Sequence, residues 1–202
     1  GTHIAIRKFP AEPLPLEAFG PPAAIDRLRH HLHARANIVV FGATGTGKTS
    51  LVNAMAAEID PGERIVTIED AAELRIPLPH VVRLECRPEN GEGAGRIDTR
   101  ALARAALRLR PDRLIVGEVR GPEALELVWA MSSGHTGSLS TCHAKSAVDA
   151  LYRLETFVLL ADAALPLTAV RAQVRSAVNV LVGLQRTGGV RRLTSIDEVG
   201  SL

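Results

Sequence analysis

The sequence predicts an α/β fold, a mostly parallel sheet covered by helices on both faces. Three observations point there. Short apolar runs recur along the chain, each the length of one buried strand. Segments with helical periodicity separate them. One strand–loop–helix passage carries a glycine-rich loop of defined spacing.

IAIRKF at 4–9 alternates like a short strand, and the proline-rich FPAEPLPLEAFGPP at 9–22 reads as a linker. A helix is expected after Pro22, with Ile25, Leu28 and Leu32 on one face. NIVVF at 37–41 reads as a buried parallel strand, and RIVTI at 64–68, VVRLEC at 81–86, LIV at 114–116, SLSTC at 138–142 and VNVLVGL at 178–184 continue the series. A helix over about 98–109 would bury Leu102, Ala105, Ala106 and Leu109, with Arg100, Arg104 and Arg108 opposite. A second, over about 144–160, would bury Ala147, Leu151, Leu154 and Val158. A third begins at Pro166, a good first helical residue, and would bury Leu167, Val170, Val174 and Ala177. Strands alternating with helices give the parallel sheet and its two covered faces.

Bulk properties narrow the function. A chain of 202 residues suits one domain with a small appendage. The net charge of +2 and the 3% aromatic content count against a nucleic-acid partner, which calls for a basic face or stacking platforms. Cys86 and Cys142 lack zinc-site spacing, and free thiols beside a nucleotide motif favour a reducing cytoplasm. No segment approaches the ~18 apolar residues of a transmembrane helix. No signal peptide is evident either.

The most informative stretch is GATGTGKT at 42–49. Gly42, Gly47, Lys48 and Thr49 occupy the fixed positions of the phosphate-binding loop. It follows a strand and opens a helix carrying Leu51, Val52 and Met55. Glycines let backbone N–H groups form a nest for phosphate oxygens. The helix N-terminus adds its dipole and free donors. Gly42, Ala43, Thr44, Gly45, Thr46, Gly47, Lys48, Thr49 and Ser50 are therefore the expected nucleotide-binding set. Lys48 is placed to reach the β- and γ-phosphates, and Thr49 to offer a hydroxyl to Mg²⁺.

Such a cradle needs acids at neighbouring strand ends. Glu118 follows the apolar run 114–116, with Gly117 where an aspartate is common. It is a candidate for holding Mg²⁺, directly or through water, or for orienting the attacking water. Glu69 and Asp70 end another strand, at the edge that faces the ligand crevice of an open α/β sheet. Glu69 is a candidate base, or a helix-capping acid at a solvated strand end. His143 follows a further strand and reads either as a structural histidine, the commoner case for a lone one, or as a candidate phosphate ligand. His135, between glycines, reads as a turn residue; His30, His31 and His33 do not share one helical face and read as surface. Arg100, Arg104, Arg108 and Arg120 are candidates for reaching a neighbouring subunit's γ-phosphate, Arg100, Arg104 and Arg108 also reading as a solvated helix face.

The motifs GATGTGKT, RIVTIEDAAEL at 64–74, LRLRPDRLIVGEVRG at 107–121, SSGHTGSLSTCHAKS at 132–146 and DALYRLE at 149–155 together resemble the secretion ATPases of type II and type IV secretion systems and type IV pili. The nearest resemblance is to the Tad/Flp pilus-assembly ATPase. It implies a RecA-like P-loop fold, ATP and Mg²⁺ as cofactors, and catalytic roles for Glu69 in an Asp box, Glu118 in Walker B and His143 in a His box. It also implies a cytoplasmic homo-hexamer, peripheral at the inner face of the cytoplasmic membrane and working on an inner-membrane platform protein. Residues 1–22 would then be the tail of a preceding domain plus linker, and 23–202 the ATPase domain. Three departures touch the His box: His135-Thr136-Gly137, His143-Ala144-Lys145-Ser146, and Cys142 where an aliphatic is usual. A nucleic-acid translocase of the same core is the rival reading.

Overall fold

The computed structural model describes residues 2, 13–161 and 164–202. The strand expected at 4–9 lies outside the described residues. Seven strands form one sheet: β1 (Ile38–Phe41), β2 (Ile65–Glu69), β3 (Val81–Glu85), β4 (Arg113–Val119), β5 (Leu139–Cys142), β6 (Val180–Thr187) and β7 (Val190–Glu198), in the order β3-β2-β4-β5-β1-β6-β7. The pairings from β3 through β6 are parallel, and β7 closes the edge as an antiparallel hairpin partner of β6.

Among the described residues six α-helices cover it: α1 (Pro22–His33), α2 (Lys48–Ala56), α3 (Thr99–Leu107), α4 (Ala124–Ser132), α5 (Ala147–Ala161) and α6 (Leu167–Ala177). The period-2 pleat divides the parallel strands between two cores. Ile38 and Val40 of β1 join the core under α1 and α2, while Val39 and Phe41 join that under α3 to α6. Leu16 and Phe19, in the segment read as linker, are buried in the first of these cores.

Asp98 starts α3 as a true cap, its carboxylate accepting the Ala101 N–H. Its apolar face differs from expectation: Leu102, Ala103 and Ala106 are buried, Ala105 is exposed and the helix ends before Leu109. Small alanines at 101, 103, 105 and 106 leave the face undefined by type alone. In α6 Pro166 is the cap rather than the first helical residue, and Leu167, 47% exposed, stands outside the stripe of Val170, Val174 and Ala177.

Two elements carry little sequence signal. ALELVWAMS of α4 is packed on nearly every side, so it shows no amphipathic stripe. VRRLTSIDE of β7 is a polar edge strand.

Candidate functional site

Every sequence-predicted acid, base and cation of the site stands at the carboxyl end of the parallel strands, where an open α/β sheet binds ligands. Lys48 begins α2 after β1, Glu69 ends β2, Glu118 is the penultimate residue of β4, and His143 follows β5. They line one cleft of about 680 Å³, together with Thr44, Gly45, Gly47, Thr49 and Ser50. Gly42, Ala43 and Thr46 shape the loop from beneath instead. Thr46 Oγ1 donates to the Ala43 carbonyl at 2.9 Å, and a β-carbon at Gly42 would stand 2.4 Å from the Leu184 carbonyl oxygen.

The ammonium of Lys48 donates to the carbonyls of Gly42 and Ala43 at 3.0 and 3.1 Å and lies 3.4 Å from His143 Nδ1. Burial lowers its pKa, and the Glu118 charge opposes that shift. His143 also faces Glu118, with Nε2 2.7 Å from Oε1, close but without the alignment of a hydrogen bond. The other Glu118 oxygen accepts from Arg120, whose guanidinium also lies 3.5 Å from Asp70. A continuous line of polar groups thus runs Lys48, His143, Glu118, Arg120, Asp70. A pairing irregularity between Val116 and Val119 accompanies it, and such a bulge re-aims a side chain.

Glu69 is 6% exposed. Its Oε1 accepts the backbone N–H groups of Glu73 and Leu74 at 2.9 and 2.8 Å. Burial raises its pKa and these two bonds pull the other way. The carboxyl is held from the loop that follows β2, not solvated at a strand end. The residue that makes room for it is Gly117, where a β-carbon would lie 3.1 Å from Glu69 Cγ. The missing Walker B aspartate is thereby explained: this position faces Glu69.

The donor set suits Mg²⁺ beside a phosphate chain. Thr49 and Glu118 offer hard oxygens, and Mg²⁺ takes few protein ligands while keeping waters and phosphate oxygens. Among the described residues no cluster of His, Cys, Asp and Glu forms an all-protein metal cage. Arg120 occupies one Glu118 oxygen and His143 stands beside the other, so Glu118 would hold the metal through water.

Other candidates separate from the site. His135 sits before β5, at the opposite end of the strand from His143, with Nδ1 3.3 Å from the Pro111 carbonyl. Arg100 and Arg104 both bond Glu126, at 2.8 and 2.9 Å, and Glu126 is 2% exposed. They neutralise a buried acid of their own chain, so Arg100 and Arg104 do not stand on a merely solvated face. Cys142 is buried, its thiol pushed up to about 12. Sequence reasoning missed Arg186 and Arg191 of the β6–β7 hairpin, which line the cleft beside the loop. Their strand positions give no motif; only the fold brings them to Gly47.

The family model described as type II/IV secretion system protein matches residues 1–194. The chain belongs to that family. It is 41% identical over 202 residues to a putative conjugal transfer protein of Mycobacterium tuberculosis, covering 97% of this chain and 57% of that protein. To the type IV secretion system protein PtlH of Bordetella pertussis it is 44% identical over 168 residues, covering 81% and 49%. The solved VirB11 ATPase of the Brucella suis type IV secretion system superposes with a TM-score of 0.80 at 31% identity, covering 89% of this chain and 53% of that one. The pilus retraction motor PilT, solved with ADP, follows at 0.70 and 26%, covering 93% and 54%. This secretion-family domain therefore has the fold of P-loop ATPases, and it spans about half the length of the curated relatives it matches. Among the described residues no helix is long and apolar enough to cross a membrane.

Proposed function

We propose that this domain binds Mg-ATP at residues 42–50 and hydrolyses it to drive a secretion or pilus-assembly motor. One observation carries the reading: Lys48, Glu69, Glu118 and His143, from four separate strand ends, converge on the cleft beside the phosphate-binding loop. Lys48 draws negative charge toward itself. Glu69, with a raised pKa and one oxygen held by two N–H groups, positions and deprotonates the attacking water. Glu118 and Thr49 organise the metal's water shell. His143 joins Lys48 to Glu118 and so reports whether a γ-phosphate has separated them. Bound Mg²⁺ would offset charge on the β- and γ-phosphates.

The names of the relatives support a type IV secretion or conjugal-transfer type of machine; the motifs resemble the Tad/Flp pilus-assembly ATPase, and the motor we propose belongs to that neighbourhood. It works as a homo-hexamer against an inner-membrane platform protein, on the cytoplasmic side. An arginine from the neighbouring subunit completes each site; Arg100 and Arg104 are committed to Glu126 and Arg120 to Glu118 and Asp70, which leaves Arg108 as the better candidate in this chain. Phosphate release by the full-length protein tests the proposal. Wild type should release phosphate from Mg-ATP, and Glu118→Gln should slow release by ~10²–10⁴ while still binding nucleotide. Release at the wild-type rate from Glu118→Gln would remove Glu118 from the reaction.

A further inference from the structure

The β6–β7 hairpin turns at Gly188 and Gly189, with φ of 59° and 83°. Positive φ at both central residues makes the two-residue turn that fits a twisted ribbon. Just inside it, Arg186 pairs directly with Arg191 across the strands. Like charges placed so oppose each other. Neither makes an ion pair among the described residues. Arg186 Nε donates to the Gly189 carbonyl at 3.3 Å, which holds the turn but brings no negative charge. Arg191 Nε is buried with no acceptor at all. An unpaired buried donor on a cation is costly, and here it is placed beside the phosphate loop. Arg191 lies across Gly47, where φ is 99° and a β-carbon would stand 2.4 Å from Nε. Both arginines line the cleft.

The sheet order tells which end of a nucleotide they meet. β1, which leads into the loop, has β5 on one side and β6 on the other. His143 and Glu118 come from the β5 and β4 side, where the reacting phosphate belongs. The arginines come from the β6 side, the opposite flank of the loop.

We propose that Arg186 and Arg191 form an anion clamp, supplied by the same chain, that holds the α-phosphate end of the nucleotide. The clamp rests on the nucleotide-site reading above and adds a binding function to the hairpin. A nucleotide's charge would relieve the repulsion between the two guanidinium groups and give Arg191 the acceptor it lacks. Binding from this flank serves ADP and ATP alike, so it secures the nucleotide without touching the bond that breaks.

Calorimetric titration of Mg-ADP and Mg-ATP into the protein tests this, with Arg191→Ala, Arg191→Lys and Arg192→Ala. Arg192 is exposed, pairs with Gln185 and does not line the cleft, so its removal subtracts the same charge from the same hairpin. Arg191→Ala should weaken both nucleotides by a similar factor, about 10- to 100-fold, the scale of a hydrogen bond to a charged group. Arg191→Lys should recover part of that loss, and Arg192→Ala should bind like wild type. In the full-length motor the Arg191→Ala defect should enter KM far more than kcat. Wild-type ADP affinity in Arg191→Ala, or a loss confined to ATP, would overturn the clamp. An equal loss in Arg192→Ala would reduce it to general electrostatics and overturn it too. Failure of the wild type to bind either nucleotide would instead overturn the nucleotide site itself.

Discussion

Glu69 and Gly117 are packed face to face at the ends of β2 and β4, with Glu69 Cγ 3.1 Å from the place a Gly117 β-carbon would take. The carboxyl proposed to handle water and the residue standing in the usual metal-aspartate position are therefore one steric unit. Gly117→Ala should displace Glu69 and cut turnover by at least about tenfold in the full-length protein, as misplacement of a catalytic group does. Affinity for Mg-ADP should stay within about twofold, since the loop is untouched. Paired phosphate-release and titration measurements check this; unchanged turnover would show that Glu69 need not be where the structure holds it.

Burial of Glu69 has a consequence for stability. With its pKa raised in the folded state, the folded protein retains a proton that the unfolded chain has already lost. The stability it contributes is present at pH below the ordinary glutamate range and falls as pH rises through the raised value. Glu69→Gln preserves the two accepted N–H bonds without the charge. It should melt above wild type near about pH 8, by about 2–4 °C for each kcal/mol gained, with the gap closing toward about pH 4. Thermal melts at the two pH values decide it, and a constant gap would contradict it.

Glu126 holds Arg100 and Arg104 between α3 and α4. Glu126→Ala should destabilise the domain by about 1–3 kcal/mol, because two charge-assisted bonds to a buried acid are lost. Arg104→Ala, with its side chain 62% exposed, should cost much less. Urea unfolding of both variants checks the order, and equal losses would contradict it.

His143 contacts Lys48 on one side and Glu118 on the other. His143→Ala should leave Mg-ATP binding intact and remove the difference between ATP-bound and ADP-bound conformations. Hydrogen exchange in the two states reads this directly. If the variant's two states still differ as those of the wild type do, His143 does not report the phosphate.

Much of this was legible in the sequence for a physical reason. Buried parallel strands must be short and apolar, so β1, β2, β4, β5 and β6 announce themselves, and the phosphate loop has a spacing that backbone geometry dictates. The acids were found by their place after those strands. What was hidden depended on distant packing. Helix α4 is buried nearly all round and so lacks a stripe, and nothing local marks Glu126 within it as the partner of two arginines. Gly117 reads as a departure from pattern until Glu69 is packed on it. Arg186 and Arg191 lie far from the loop in sequence and reach it only because β6 pairs with β1.

The isolated 202-residue chain carries the cradle and both acids but, on our proposal, lacks the groups a neighbour supplies. It should bind nucleotide yet hydrolyse it slower than the assembled full-length motor by as much as ~10³–10⁵, the worth of an arginine in trans. Sedimentation and phosphate release on both forms check this, and equal turnover from a monomeric chain would show a self-contained site.

Calorimetric titration of Mg-ATP into wild type and Lys48→Ala tests the central claim most directly. The account predicts one nucleotide bound per wild-type chain and no measurable binding by a folded Lys48→Ala protein. Unchanged affinity in Lys48→Ala, or no binding by the wild type, would contradict it.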